Sequence, residues 1–230
     1  MKLLTQNSKM KITSKLTGVS LFNFGIPAFK SETGLTTCPN ASRCAVGCYA
    51  RVGTYRFKQS IKAYEERLAA TLRDDFVLVM TVAIKQKLKR NKKVMIRIHD
   101  AGDFYSEAYL LTWCKIMDGL PEVKFYAYTK QVSLMKKFKA LCLLPENFTI
   151  IYSYGGKEDV LINPWSDRHS LVFETSKQLK TAGYINTTEN DMNALGKNKR
   201  IGLVYHGAKA YKNTSWDKVR TEKKAKGLDA

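Results

Sequence analysis

The hydrophobic positions of the chain fall into short apolar runs separated by longer segments with helical spacing. Ile61, Tyr64 and Leu68 recur at intervals of three and four residues, which is the period of one helix face. The acidic pair Asp74-Asp75 precedes a second apolar segment, and we expect this pair to cap the N-terminus of a second helix. The pattern therefore predicts two consecutive helices between residues 60 and 88.

After residue 90, apolar runs typical of strands alternate with segments of helical period. The predicted strands, including one before the helical region, are 19–24, 94–98, 123–128, 148–154, 171–174 and 201–205. The predicted helices among them are 106–119, 133–143 and a short one through Leu179. Strands that alternate with helices indicate βαβ units. We therefore expect a single α/β domain with about six strands, either a partial (β/α)6 barrel or an open, mainly parallel sheet.

The domain organisation follows from length and local composition. The chain has 230 residues and contains neither an internal repeat nor a low-complexity linker, so one domain is the simplest account. We predict a basic, loosely held N-terminal arm at 1–17, the α/β domain at 18–210 and a basic C-terminal tail at 211–230. The sequence shows no apolar stretch typical of a secretory signal or a membrane span. A cytoplasmic location and no membrane partner are expected.

The net charge is the unusual feature of the composition. Lys and Arg number 39 against 20 Asp and Glu, which gives a formal charge of +19. A field of this size attracts polyanions, of which nucleic acid is the commonest in a cytosol. DNA or RNA is therefore a candidate partner, and a Lys-rich solvated surface without a partner is the alternative.

The cysteines divide into two groups. There are five, an odd number, in a chain without an export signal, so a disulfide framework is not expected. Cys114 and Cys142 lie in apolar helical segments, and we predict both to be buried core thiols. The other three lie in the loop at 36–50.

The loop cysteines predict a metal site. Cys38, Cys44 and Cys48 lie within eleven residues, close enough to fold around one metal centre. Thiolates select zinc or iron–sulfur clusters. A structural zinc site needs a fourth ligand, for which His99 or His206 is available, whereas a [4Fe–4S] cluster on three thiolates leaves one iron open. Three unrelated free thiols are the remaining alternative.

Polar residues follow the predicted strand at 94–98. Ligands of parallel α/β folds bind beyond the carboxyl ends of the strands, where this segment lies. His99 suits proton transfer, Asp103 suits a ribose or an amino group, and Gly102 permits close approach of a ligand. The alternative is that Asp103 caps the following helix and His99 is a buried, hydrogen-bonded residue.

Two further strand ends carry candidate binding residues. Alternation places Tyr126 and Tyr128 on one face of their strand, and Lys130 follows as a candidate anion contact. Tyrosine is also ordinary strand filling, which is the alternative. Gly155 and Gly156 resemble a backbone nest for an anion. All these strand ends are expected at the same edge of the sheet as the cysteine loop.

Three blocks of sequence together resemble the phage-encoded gene product 88 family. They are Thr36-Thr37-Cys38-Pro39 with Cys48-Tyr49-Ala50, Ile96-Arg97-Ile98-His99 with Gly102-Asp103-Phe104-Tyr105, and Phe125-Tyr126-Ala127-Tyr128-Thr129-Lys130. The resemblance extends over residues 18–207. The family pattern is in turn similar to that of radical S-adenosylmethionine enzymes, which have a three-cysteine loop after the first strand of a partial barrel.

The resemblance implies a set of functional residues. A [4Fe–4S] cluster would lie on Cys38, Cys44 and Cys48, and Gly102 and Asp103 would hold the amino end of S-adenosylmethionine. The expected catalytic residues are His99, Asp103 and Lys130. The expected cofactor-binding residues are Tyr49, Gly102, Asp103, Tyr128, Gly155 and Gly156.

Three functions remain open from the sequence. The leading hypothesis is a phage-type iron–sulfur enzyme, similar to radical S-adenosylmethionine enzymes, that acts on a nucleotide or nucleic acid in the host cytoplasm. One alternative is a non-catalytic nucleic-acid-binding protein with a structural metal site. The other is a zinc-dependent hydrolase or transferase that activates a water molecule.

Overall fold

The computed structural model of the chain describes residues 1–205, in which seven strands form one curled, open sheet. The strands are β1 (Ser20–Phe24), β2 (Val94–Ile98), β3 (Lys124–Thr129), β4 (Phe148–Ser153), β5 (His169–Phe173), β6 (Ile185–Asn186) and β7 (Arg200–Val204). Their order is β1-β2-β3-β4-β5-β7-β6, and every neighbouring pair is parallel. The expected α/β half-barrel is confirmed, with seven strands in place of about six.

Seven helices accompany the sheet within the described residues. They are α1 (Ser8–Thr17), α2 (Arg43–Val46), α3 (Lys58–Thr71), α4 (Phe76–Leu88), α5 (Glu107–Asp118), α6 (Val132–Ala140) and α7 (Ser176–Thr181). Short 3-10 turns occur at Tyr49–Arg51, Gly53–Arg56, Asp159–Leu161 and Met192–Leu195. None of the helices between residues 1 and 205 combines the length and apolar character that crossing a membrane requires.

Strand alternation gives the sheet two different faces. Phe24, Ile96 and Phe125 belong to the large core that the sheet forms with α4, α5 and α6, around Trp113 of α5. The residues one position away point to the other face, where a smaller apolar cluster forms. That cluster contains Met10, Leu21, Tyr126, Ile151, Ala194 and Ile201. The second face of the sheet is thus covered by α1 and the 192–195 turn.

The N-terminal segment is integrated into the fold. The expectation of a loosely held arm at 1–17 is wrong for most of this segment, because α1 buries Met10 completely and Thr13 almost completely. The Asn7 side chain caps α1, and Thr5 pairs with Asn23 in an antiparallel bridge. The tail predicted at 211–230 lies outside the described residues, so that boundary stays a prediction.

Two local expectations differ from the structure. Asp75 occupies the N-cap position of α4, but its carboxylate does not cap the helix and instead accepts a hydrogen bond from Arg73 Nε at 2.9 Å. Cys114 is buried as expected, whereas Cys142 is exposed. Helix α6 ends at Ala140, and Cys142 lies in the turn beyond it with φ 55°. The apolar sequence around Cys142 therefore does not continue the helix.

Candidate metal centre at the carboxyl edge of the sheet

The loop between β1 and α3 carries the three candidate cysteines and is held against three strand ends. It is hydrogen-bonded to the segments that follow β2, β3 and β4, as the common edge predicted from the sequence requires. The bonds are Asp103 N–H to Thr37 O at 3.0 Å, Asn40 Nδ2 to Gln131 Oε1 at 2.8 Å and Cys44 N–H to Gly155 O at 3.1 Å. The cysteine loop is therefore a bridge across the carboxyl edge of the sheet.

The three thiols are electrostatic neighbours. Cys48 lies close enough to Cys38 to act on it electrostatically, Cys44 acts in the same way on Cys48, and Phe29 N–H donates to Cys38 Sγ at 3.3 Å. Burial raises the pKa of Cys38 to about 12, with a contribution from the Asp103 carboxylate, and burial also raises the pKa of Cys48. Both thiols are thus protonated at neutral pH in the metal-free protein, since only a lowered pKa would give the thiolate.

The donor chemistry of this loop fits a soft metal or an iron–sulfur cluster. Three thiols on one loop are the donor set that such centres use. The strand-end residue that receives the Cys44 N–H bond is Gly155, whose φ of 100° favours glycine and whose backbone packs against Cys44. Between residues 1 and 205, however, no three His, Cys, Asp or Glu side chains are arranged to share a metal ion. Metal binding would therefore require the three thiols to draw together.

Asp103 and Lys130 lie beside the thiols. The buried Asp103 carboxylate accepts hydrogen bonds from Thr129 Oγ1 at 2.6 Å, Lys130 N–H at 2.9 Å and Phe104 N–H at 2.8 Å. Burial raises the pKa of Asp103, and the bonds from Thr129 and Lys130 oppose that rise. Asp103 thus holds the end of β3 in place. Ser106, and not Asp103, caps the following helix.

The Lys130 ammonium group is directed along the same edge of the sheet. It donates to Ser153 Oγ at 3.0 Å, and its positive charge partly opposes the rise that burial causes in the pKa values of Cys38 and Cys48. The structure therefore brings two of the sequence-predicted residues, Lys130 and Asp103, into the electrostatic environment of the thiols.

His99 lies in an aromatic core. Its Nε2 is 2.9 Å from the Tyr109 hydroxyl, and its ring packs edge-on against Phe104 with centroids 4.8 Å apart. Burial lowers the pKa of His99 to about 3, so the ring is neutral at ordinary pH. This arrangement corresponds to the structural alternative stated for His99, because a side chain sealed from solvent cannot exchange a proton with a substrate at the strand edge.

The predicted glycine positions serve contacts within the protein. Gly102 has φ 82°, and a Cβ there would lie 2.3 Å from Ile26 Cγ1. Gly155 and Gly156 do form an anion nest, since their N–H groups donate to the Asp159 carboxylate at 2.9 and 2.8 Å. The nest is therefore filled by the chain's own carboxylate rather than open to a cofactor.

Tyr49 and Tyr128 have different environments. The ring of Tyr49, next to Cys48, is half exposed, while its hydroxyl is buried and donates to the Asp100 backbone carbonyl. Burial raises the pKa of the Tyr49 hydroxyl, so it remains a donor. The Tyr128 hydroxyl instead donates to Asp191 at 3.2 Å, on the face of the sheet covered by α1.

Sequence reasoning missed the group centred on Asp191. This carboxylate belongs to a residue that is 1% exposed, and it takes four donors from three separate elements, α1, β2 and β3. They are Lys9 Nζ at 2.7 Å, Tyr126 Oη at 2.8 Å, Arg97 at 3.1 Å and Tyr128 Oη at 3.2 Å. Burial alone would raise the pKa of Asp191, but Arg97 and Lys9 lower it below its usual value. No local pattern marks Asp191, because its partners are distant in the sequence.

A cavity of about 380 Å³ lies next to the cysteine loop. Its wall includes the segment that directly follows the loop and the first residues of α1. The lining residues are Thr5, Gln6, Asn7, Ser8, Lys9, Asn23, Thr54, Tyr55, Ser60, Tyr64 and Asp100. Asn23 and Asp100 are buried, and Tyr64 Oη donates to Asp100 Oδ2 at 3.0 Å. The sequence analysis did not single out Asn23 or Asp100.

Comparison with known proteins identifies relatives of the chain. The sequence profile described as "Gene product 88" matches residues 1–226. The "Gene 88 protein" of Mycobacterium phage L5 and that of Mycobacterium phage D29 are each 30% identical over 102 residues. The aligned part is 41% of this chain and 43% and 42% of the two relatives, so the chain spans less than half the length of each. No solved structure matches the chain at a significant level.

Proposed function

The chain belongs to the gene product 88 family, and from this premise we propose that it is an iron–sulfur protein with a [4Fe–4S] cluster on Cys38, Cys44 and Cys48. The observation that carries the proposal is the position of the cysteine loop. It carries three thiols on one segment that bridges the carboxyl edge of a parallel half-barrel, where α/β enzymes bind their ligands, although the thiols must draw closer to share a cluster. The proposed enzyme is of the radical S-adenosylmethionine type.

An iron–sulfur cluster suits this loop better than zinc. A structural zinc site is almost always closed by four protein ligands. Neither of the other two cysteines belongs to the loop: Cys114 is buried in α5, and Cys142 is exposed beyond the end of α6. His99 is enclosed by aromatic rings. His206, the other candidate fourth ligand, lies outside the described residues. The donors between residues 1 and 205 therefore support three thiolates with one open coordination position.

The neighbouring residues have supporting roles in the proposal. Lys130 places a positive charge beside the thiols, which favours their deprotonated, metal-binding form. Asp103 is a positioning residue, since its carboxylate fixes the turn that carries Lys130. Tyr49 ties the end of the loop to Asp100 through its hydroxyl. A cluster with one open iron, when bound, supplies one-electron chemistry to a cosubstrate.

The cavity beside the loop is the proposed cosubstrate pocket. Its volume of about 380 Å³ falls in the range of small-molecule sites. Asn23 and Asp100 line it with buried oxygen atoms that suit a ligand carrying hydrogen-bond donors, such as the ammonium group of S-adenosylmethionine. This location replaces the Asp103 contact implied by the family resemblance, because the Asp103 carboxylate is already occupied by three protein donors.

Metal analysis tests the proposal directly. Protein purified without oxygen is expected to contain iron and acid-labile sulfide and to show broad visible absorbance. Cys38→Ala, Cys44→Ala and Cys48→Ala should each lose the iron, because each removes one of three ligands. Cys142→Ala, which changes an exposed cysteine outside the loop, is the matched control and should retain it.

Two results would decide against the cluster. Stoichiometric zinc lost in the three loop variants would assign the site to a zinc protein, the hydrolase or transferase alternative. Iron retained at the wild-type level in all three variants would show that the loop is not the ligand set.

A further inference from the structure

The segment that leads into the amino end of β5 presents an exposed aromatic ring. Trp165 lies in the connection between β4 and β5 and is 81% exposed. The turn that carries it is ordered by Asn163, whose Oδ1 accepts hydrogen bonds from Trp165 N–H at 2.9 Å and Ser166 N–H at 3.2 Å. Asn163 N–H in turn donates to Asp167 Oδ2 at 2.9 Å. The ring is therefore displayed on a well-defined turn.

Cationic side chains accompany this ring, two of them in contact with it or its turn and a third, Lys197, nearby in sequence. The Arg200 guanidinium lies 5.2 Å from the Trp165 ring centroid and 5.8 Å from that of Tyr184. Lys197 and Lys199 are exposed, and the Lys199 ammonium reaches the turn through a bond to Ser166 O at 2.8 Å. These side chains lie just before β7 or at its first residue, which places them at the amino edge of the parallel sheet.

The acidic residue nearest to the ring in sequence is already paired. Asp167 forms an ion pair with Lys136 at 3.0 Å and accepts the hydrogen bond from Asn163. Arg168 is fixed by bonds to the carbonyl oxygens of Ala194, Gly196 and Asn198. The positive charge of this surface therefore remains available to an anionic partner, in line with the +19 charge of the chain.

We infer that Trp165, Arg200, Lys197 and Lys199 form a binding surface for single-stranded nucleic acid. Unpaired bases stack on exposed aromatic rings and on guanidinium planes, while lysines contact the phosphates. A duplex conceals the faces of its bases, so the exposed ring favours a single strand. The inference is independent of the proposed cluster, since none of these four residues belongs to the cysteine loop or lines the cavity beside it.

Equilibrium binding to a fluorescently labelled oligothymidylate of about 16 nucleotides tests the inference on the full chain. Trp165→Ala should weaken binding about tenfold, the loss typical of one stacked base. Trp165→Phe should lose less, because it keeps a smaller ring. Lys197→Ala should reduce the dependence of log affinity on log salt concentration by about 0.7, the value for one phosphate of a single strand.

Two control variants distinguish binding at this surface from non-specific attraction of nucleic acid to a basic protein. Leu78→Ala removes an exposed apolar side chain on α4, and Lys115→Ala removes an exposed charge on α5. Both should bind like the wild type. Circular dichroism of each variant shows whether the fold is kept, and quenching of tryptophan fluorescence by the oligonucleotide should be reduced in Trp165→Phe.

Three outcomes would overturn the inference. The first is wild-type affinity of Trp165→Ala, and the second is an equal loss in Lys115→Ala. The third is competition by polyglutamate as effective as unlabelled oligonucleotide, which would show a surface for acidic polypeptides that does not read bases.

Discussion

Asp191 is a buried carboxylate that pairs with two cationic side chains. It compensates Arg97 and Lys9 together, and its side chain is fully buried. Removing one partner of a buried ion pair leaves an uncompensated charge, which is far more costly than losing a surface pair. Asp191 therefore joins β2, α1 and the 192–195 turn through electrostatics that no hydrophobic pattern reveals.

Asp191→Ala is expected to lower the free energy of unfolding by about 3–5 kcal/mol, as measured by urea denaturation. Asp75→Ala removes an exposed carboxylate that also pairs with an arginine, Arg73, and should have a much smaller effect. Because the folded-state pKa of Asp191 is lowered, its contribution is present above the unfolded value of about 3.9 and is lost as pH falls through the folded pKa. Equal losses in the two variants would contradict this role.

His99 gives a second prediction, on acid sensitivity. Its pKa is about 3 in the folded protein and near 6.5 when unfolded, so the unfolded state binds the proton first. Stability should fall as pH decreases from 6.5 toward 3, with a slope of up to about 1.4 kcal/mol per pH unit from this residue. His99→Asn, which tolerates the positive φ of 68°, should flatten that slope in urea midpoints measured across the range. An unchanged slope would show that His99 does not cause this pH dependence of stability.

At the scale of elements, the cavity is formed by the segments that follow the cysteine loop in the chain. The loop leads directly into the Gly53–Arg56 turn and α3, and both line the cavity together with the start of α1. A change in α3 can therefore close the cavity without touching the thiols.

Ser60→Trp, on the α3 wall, should abolish binding of S-adenosylmethionine while iron content stays at the wild-type level. The large side chain fills the space of the proposed pocket. Equilibrium dialysis with labelled cosubstrate measures the effect, and Ser60→Ala is the matched control that should bind normally. Wild-type binding in Ser60→Trp would place the cosubstrate elsewhere.

The elements themselves were largely predictable, since strand and helix periods are local properties. The long helices and β1 to β5 follow the apolar pattern to within a few residues. The pattern missed β6, because two residues cannot establish a period of two. The same pattern predicted a loose arm at the N-terminus. The burial of Met10 against residues of distant strands leaves no periodic signal in the sequence of this segment.

At the scale of the whole molecule, the parallel sheet separates two surfaces. The carboxyl edge holds the thiols, Lys130 and the cavity, and the amino edge holds Trp165 among cationic side chains. The two groups share no residue, because the thiols and Lys130 follow the carboxyl ends of β1 and β3, whereas Trp165 and the lysines precede the amino ends of β5 and β7. The candidate chemistry and the candidate nucleic-acid surface can therefore be altered independently.

The sequence by itself determined the α/β class, the parallel sheet and the gathering of the cysteine loop with Asp103 and Lys130 at one edge. These depend on short-range periodicity and on topology, which the order of residues contains. Only the tertiary structure decided that His99 is enclosed, that Asp159 fills the glycine nest and that Asp191 compensates Arg97. Each of these depends on burial or on side chains brought together by folding, so the physical environment of a residue, and with it its chemistry, appears only once the chain has packed.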